Sequence, residues 1–146
     1  MSATRRVHWG RVLLAGFLAE LSVFVVFFLL LFLAWLAGVP ELATPMSTLD
    51  YIDALVASFA SIFVFTLWVS KRIESGFVLH GALIGAVAML LFLAVLMVGN
   101  GSMEQPVLYW VAHGLKILGG ITGGMVAERR RQRGDGHRLE SSVLQA

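Results

Sequence analysis

The chain contains no cysteine among its 146 residues, which excludes disulfide bonds, thiol catalysis and cysteine-based metal sites. Charged residues are also scarce, at 14% of the chain, whereas soluble domains carry about 25%. No His-x-x-x-His motif, paired-carboxylate motif or Ser/His/Asp arrangement is visible. The glycine-rich stretch Gly119–Gly124 lacks the Gly-Lys-Ser/Thr ending of a phosphate-binding loop. The sequence therefore predicts no enzymatic activity, no metal and no cofactor.

What the chain has in excess is apolar sequence, with 58% hydrophobic residues gathered in four long blocks. The blocks are residues 12–39, 52–69, 77–98 and 107–127. A helix needs about 20 apolar residues to cross a hydrocarbon layer about 30 Å thick. The sequence thus predicts an all-α, polytopic membrane protein, with a four-helix transmembrane domain over 12–127. Residues 1–11 and 128–146 remain as a basic N-terminus and an arginine-rich tail.

The charges outside these blocks differ between the two sides of the predicted membrane. Basic residues lie before the first block, between the second and third, and after the fourth: Arg5, Arg6, Arg11, Lys71, Arg72, Arg129, Arg130, Arg131, Arg133 and Arg138. The other two connections and their borders carry only acidic charges: Glu41, Asp50, Asp53 and Glu104. Basic residues in short loops stay cytoplasmic. We therefore expect both termini in the cytoplasm and a multi-pass protein of a bacterial inner membrane.

Glycines recur at four-residue spacing in the third and fourth blocks. The pairs are Gly81 with Gly85, Gly119 with Gly123, and Gly120 with Gly124. Small residues at this spacing let transmembrane helices approach closely. We expect the glycine faces of these two helices to meet each other, although the same grooves could instead form a homodimer.

Three ionisable residues lie well inside the apolar blocks, away from their borders: Glu20, His113 and Lys116. Such residues are costly in a membrane and are candidates for function. His113 and Lys116 are three positions apart and share a helix face. At 1.5 Å per residue, Glu20 and Lys116 lie roughly 12 and 16 Å from the cytoplasmic border, so they can pair. Three interpretations stay open: a structural ion pair, a lysine that snorkels to the interface, or a polar site for a proton, ion or small substrate.

The tail begins with a cluster of arginines, Arg129, Arg130, Arg131 and Arg133. Anionic lipid attracts basic residues next to a membrane span, so these side chains are expected to contact lipid headgroups. Gly134, Gly136 and the polar residues after them predict a disordered end. We expect His137–Ala146 to be mobile.

Two stretches resemble a known family. Ser75–Gly85 follows the basic pair Lys71-Arg72 and contains His80-Gly81 ahead of Gly85, while Leu118–Ala127 is a glycine-rich end of the last block. Both are similar to an uncharacterised family of small bacterial four-span membrane proteins, the YrzE-like type. The resemblance implies a four-helix membrane fold and no known activity.

A second, local resemblance covers Leu14–Leu21, which looks like the first helix of small multidrug resistance transporters. It implies that Glu20 is a proton-coupling carboxyl. Taken together, the observations predict a structural or accessory membrane protein, with a small proton-coupled transporter as the alternative. The expected partners are the lipid bilayer and a second copy or a larger membrane complex, not nucleic acid.

Overall fold

A computed structural model describes residues 7–39, 53–98 and 107–143. Within these ranges the chain is entirely helical and contains no strand. The helices are α1 (Trp9–Leu36), α2 (Ser58–Ser70), α3 (Phe77–Val98) and α4 (Val107–Val143), and a π-helical turn over Asp53–Ala57 leads into α2. The all-α class expected from the sequence is confirmed for this part of the chain.

Three of these helical stretches are long and apolar enough to cross a membrane: Trp9–Leu36, Asp53–Ser70 and Phe77–Val98. This result confirms the membrane character that the apolar blocks predict. The acidic residues Glu41, Asp50 and Glu104 lie outside the described residues, as do Arg5 and Arg6.

A short turn connects α2 to α3. The backbone N–H groups of Lys71 and Arg72 donate to the carbonyls of Trp68 and Val69, which closes the last turn of α2. Gly76 then adopts φ +72°, a left-handed conformation that glycine reaches without a steric penalty. Its carbonyl accepts the N–H of His80 at 3.0 Å. This turn reverses the direction of the chain between α2 and α3.

Helix α4 packs along both α3 and α2, and α1 packs against the same two helices. In the part of the chain described, α1 and α4 therefore face each other across a diagonal. The core between the helices is built largely from small and branched side chains, including Val12, Ala15, Ala19, Ile62, Ile84 and Ala88. Large apolar residues of α1, such as Phe28, Phe32 and Trp35, are exposed instead, as lipid-facing residues would be.

The glycines of α3 and α4 meet as the sequence predicts. Gly81 and Gly120 lie backbone to backbone, and a Cβ on either would overlap the carbonyl oxygen of the other. A Cβ on Gly85 would lie 2.6 Å from the Lys116 carbonyl oxygen, and one on Gly124 would lie 2.6 Å from that of Phe77. Real Cβ atoms do not approach so closely, so these positions need glycine.

Gly119 and Gly123 of α4 do not face α3. A Cβ on Gly119 would lie 2.8 Å from the Phe59 carbonyl oxygen of α2, and one on Gly123 would lie 3.0 Å from that of Phe63. The expectation that the glycines of the fourth block meet those of the third therefore holds for Gly120 and Gly124 but not for Gly119 and Gly123. Because an α-helix has 3.6 residues per turn, Gly119 and Gly120 point in different directions. Helix α4 thus has two neighbouring glycine faces, one for each partner helix.

Helix α4 continues through the arginine cluster and ends at Val143. The sequence predicts a disordered end after Gly134 and Gly136, whereas the backbone is helical beyond both. No proline follows Pro106, and one glycine costs only about 1 kcal/mol in a helix, so neither glycine forces a break. The mobility of His137–Ala146 stays a prediction.

Candidate functional site

The three ionisable residues predicted inside the membrane lie together in the structure. Glu20 comes from α1 and Lys116 from α4, the two helices that face each other across the diagonal. Lys116 Nζ donates to Glu20 Oε2 at 2.6 Å. Their side chains are 0% and 6% exposed, so this ion pair is buried between the helices. Lys116 ends on the carboxylate rather than extending to a membrane surface, which argues against the snorkelling interpretation.

Aromatic rings surround the lysine ammonium. The Phe92 ring of α3 stacks on the His113 ring with centroids 3.6 Å apart and planes inclined by 16°. Lys116 Nζ lies 5.0 Å from the Phe92 centroid, within the range of a cation–π interaction. Because His113 precedes Lys116 by nearly one helical turn, both side chains face the same interior. The ammonium is therefore held by a carboxylate and an aromatic face, away from water.

A small cavity of about 100 Å³ adjoins the pair. Its polar lining consists of Glu20, Asp53 and His113, and Phe92 is among its apolar walls. At about 30 Å³ per molecule in the liquid, this volume holds roughly three waters. The charge of Asp53 also acts on Lys116. The site thus gathers two carboxylates, an imidazole and an ammonium around a space of water size.

Asp53 is the residue that the sequence analysis missed. Its position in the sequence predicts an acidic loop border outside the membrane. In the structure its side chain is buried and lines the cavity. Asp53, Ala57 and Ser61 recur at four-residue spacing, and Ser61 Oγ accepts a hydrogen bond from Ser22 Oγ of α1 at 3.0 Å. Ala57 and Ser61 form a face of small residues toward α1. The same face, continued back by one turn, predicts that Asp53 also points toward α1. The sequence does not predict the role of Phe92 either, because nothing distinguishes this phenylalanine from the other apolar residues of its block.

A second polar contact lies at the start of α1. The N–H of His8 donates to Nε2 of His80 at 3.2 Å. Nδ1 of His80 lies 2.9 Å from the Gly76 carbonyl oxygen, so it carries the proton and donates there. His80 is therefore buried and anchors the segment before α1 to the start of α3. It is a structural contact, separate from the ion pair.

The arginines of α4 do not all have the same surroundings. Arg129, Arg130 and Arg133 are exposed, as lipid-headgroup contacts would be. Arg131 is exposed as well, but its Nη1 donates to the Ile73 carbonyl oxygen at 3.1 Å. Its guanidinium also lies 5.7 Å from the centroid of Phe77. Arg131 thus fastens α4 to the turn between α2 and α3.

Comparison of the chain with protein-family models, with curated proteins and with solved structures gives no match. The two family resemblances drawn from the sequence stay predictions. The buried ion pair and its surroundings are therefore the features of this chain from which a function can be inferred.

Proposed function

We propose that this chain is an inner-membrane protein whose four helices all span the bilayer, with both termini in the cytoplasm. Helix α4 supports this arrangement because it packs along α2 and α3 through glycine contacts and must share their depth. The charges support the orientation. Arg11 contacts the Arg72 carbonyl, and Arg131 contacts that of Ile73, so basic residues from three regions gather at one end of the helices.

Within that membrane arrangement, the chain acts as a structural or accessory subunit. The observation that carries this proposal is the buried pair of Glu20 and Lys116, which ties together two helices that have little other contact. Small-molecule sites have volumes of about 300–1,000 Å³, whereas the cavity beside the pair measures about 100 Å³. An interior closed in this way suits a rigid element that presents its outer faces to lipid and to other membrane proteins.

The test is isolation of the tagged protein from native membranes in a mild detergent. We expect it to copurify at fixed stoichiometry with a larger membrane complex. The variant Gly120→Leu, which disrupts packing between α3 and α4, should lose that association. The matched variant Gly114→Leu should keep it, because no described residue lies within 4 Å of a Cβ at Gly114. A protein that purifies alone and transports a solute in liposomes would contradict the accessory role.

The alternative is proton-coupled transport through Glu20. One specific observation favours it: Glu20, Asp53 and His113 open onto the same water-sized cavity, which could pass a proton between them. Protonation of Glu20 would remove its attraction for Lys116 and release α1 from α4, which is a conformational change coupled to a proton.

Liposomes that contain a pH-sensitive dye separate the two functions. If Glu20 carries protons, the wild type should dissipate an imposed pH gradient and Glu20→Gln should not. Glu74→Gln is the matched control, since Glu74 is an exposed glutamate in the turn between α2 and α3. If the wild type and Glu20→Gln leak at the same rate as empty liposomes, passage of protons through Glu20 without a transported solute is excluded.

A further inference from the structure

The basic end of the helices contains an open cavity of about 640 Å³, far larger than the one beside the ion pair. It lies between the turn that joins α2 to α3 and the part of α4 that follows the apolar block. Its cationic lining comprises Lys71, Arg72, Arg130 and Arg131. Among the residues that the structure describes, Glu74 is the one carboxylate in the lining. Cationic groups therefore outnumber the opposing charge, and the cavity is suited to an anion.

The floor of this cavity is apolar and ordered. Ile73, Phe77 and Ala127 are buried members of the core and also line the cavity. Arg131 is held by the Ile73 carbonyl and by the Phe77 ring. It therefore connects α4 to the turn between α2 and α3, the two parts of the chain that line the cavity. A hydrophobic floor beneath a cationic rim matches an amphiphile with a charged headgroup better than a fully solvated ion.

A neighbouring cavity of about 230 Å³ shares Arg72 with the first and is lined in addition by Arg11, Leu14, Trp68 and Val69. The Arg11 guanidinium donates to the Arg72 carbonyl oxygen, which keeps α1 against the turn. Trp68 is partly exposed at the end of α2, and tryptophan is enriched where a helix leaves the hydrocarbon. The basic end thus carries a marker of headgroup depth beside its cationic groups.

We propose that the larger cavity binds the phosphate of an anionic phospholipid, with Lys71 and Arg130 as the principal phosphate contacts. This inference rests on the proposed membrane orientation. Both side chains are exposed and line the cavity, whereas the Arg131 guanidinium already contacts the Ile73 carbonyl oxygen and the Phe77 ring. Lysine supplies a compact charge and arginine a planar fork that matches phosphate oxygens. Basic pockets between membrane helices on the cytoplasmic side bind such headgroups. The acyl chains would follow the apolar surface near Leu67.

The test measures lipid binding to the full-length protein purified in a neutral detergent. The probes are dioleoyl phosphatidylglycerol, dioleoyl phosphatidylcholine and the soluble anion glycerol phosphate, each followed by native mass spectrometry. Two double variants remove the same charge. Lys71→Gln with Arg130→Gln changes the cavity, whereas Arg129→Gln with Arg133→Gln changes exposed arginines that do not line it.

We expect phosphatidylglycerol to bind the wild type more tightly than either other probe. Since a basic residue near anionic lipid contributes about fivefold in affinity, the cavity variant should bind it on the order of 30-fold more weakly. The control variant should bind phosphatidylglycerol at least about fivefold more tightly than the cavity variant does, because Arg129 and Arg133 attract anionic lipid without lining the cavity. Thermal unfolding in lipid-free detergent should be the same for both variants, which separates loss of the site from loss of the fold.

Three results would overturn the proposal. Equal weakening by the two double variants would show diffuse attraction to the basic tail rather than a built site. Equal binding of phosphatidylcholine would remove the requirement for anionic charge. Equal binding of glycerol phosphate would assign the cavity to a soluble phosphate. None of these results depends on whether the protein is an accessory subunit, and labelling of engineered cysteines tests the membrane orientation separately.

Discussion

Removal of one partner from the pair of Glu20 and Lys116 should destabilise the helix bundle, because it leaves the other charge without its partner in a low dielectric. Breaking a buried ion pair costs about 3–5 kcal/mol in soluble proteins. A lone charge at a helix centre costs about 2.5–3.5 kcal/mol on insertion scales, since water defects soften the penalty. We therefore expect Lys116→Met to lower the free energy of unfolding by about 3 kcal/mol. Glu20→Gln should lower it somewhat less, because Asp53 also acts on the ammonium.

The double variant, Glu20→Gln with Lys116→Met, decides whether this reasoning is correct. It contains two neutral side chains of similar size, and neither needs a charged partner. Its loss should be on the order of 1 kcal/mol, well below the sum of the two single losses. The interaction free energy from the double-mutant cycle should then be about 4 kcal/mol in magnitude, above the 0.5–3 kcal/mol that residues in contact usually show.

The assay is equilibrium unfolding in mixed micelles, in which a denaturing detergent replaces a neutral one and helical circular dichroism reports the folded fraction. Glu74→Gln and Arg133→Gln provide the control cycle, because both side chains are exposed and surface changes usually stay within about 0.5 kcal/mol. Additive losses at Glu20 and Lys116 would refute the argument, since two residues that do not interact have no coupling energy.

The remaining predictions concern packing, orientation and the tail. Gly120→Leu should lower the free energy of unfolding by about 2–4 kcal/mol through its clash with Gly81, whereas Gly114→Leu should change it by less than about 0.5 kcal/mol; equal losses in the same micelle titration would remove the packing argument. Because the chain has no native cysteine, a single cysteine at Glu104 should react with an impermeant maleimide in whole cells and one at Glu74 only after lysis; reversed labelling would invert the orientation. Limited proteolysis should cut rapidly within His137–Ala146 if that segment is mobile, and lasting protection there would indicate a bound partner.

The buried pair also explains why the two functional proposals share a residue. As a permanent contact, Glu20 with Lys116 fixes the distance between α1 and α4 and makes the bundle rigid. If protons reach Glu20 from the adjoining cavity, the same contact becomes a switch. The stability of Glu20→Gln and its proton flux are therefore independent measurements. A large loss of stability without any change in flux favours the structural role, whereas loss of flux with little destabilisation favours transport.

Hydropathy in the sequence was sufficient to predict the helical class and the places of three apolar helices. The length of apolar sequence needed to cross a bilayer is a local property, because a helix satisfies its own backbone hydrogen bonds. The interior positions of Glu20, His113 and Lys116 followed from the same counting. The four-residue spacing of Gly81 and Gly85 likewise marked a close helix contact, since that spacing places small residues on one face.

Only the tertiary structure decided which faces meet. Gly119 and Gly123 pack against α2 rather than α3, Asp53 turns into the interior, and Phe92 stacks on His113. Each of these depends on the rotation of a helix about its own axis, which is set by the shapes of all its neighbours together. Glu20 and Lys116 were close in depth on sequence grounds alone, but their contact required α1 and α4 to take opposite corners. Spans are thus determined by local composition, whereas the polar site arises from packing between residues that are far apart in the chain.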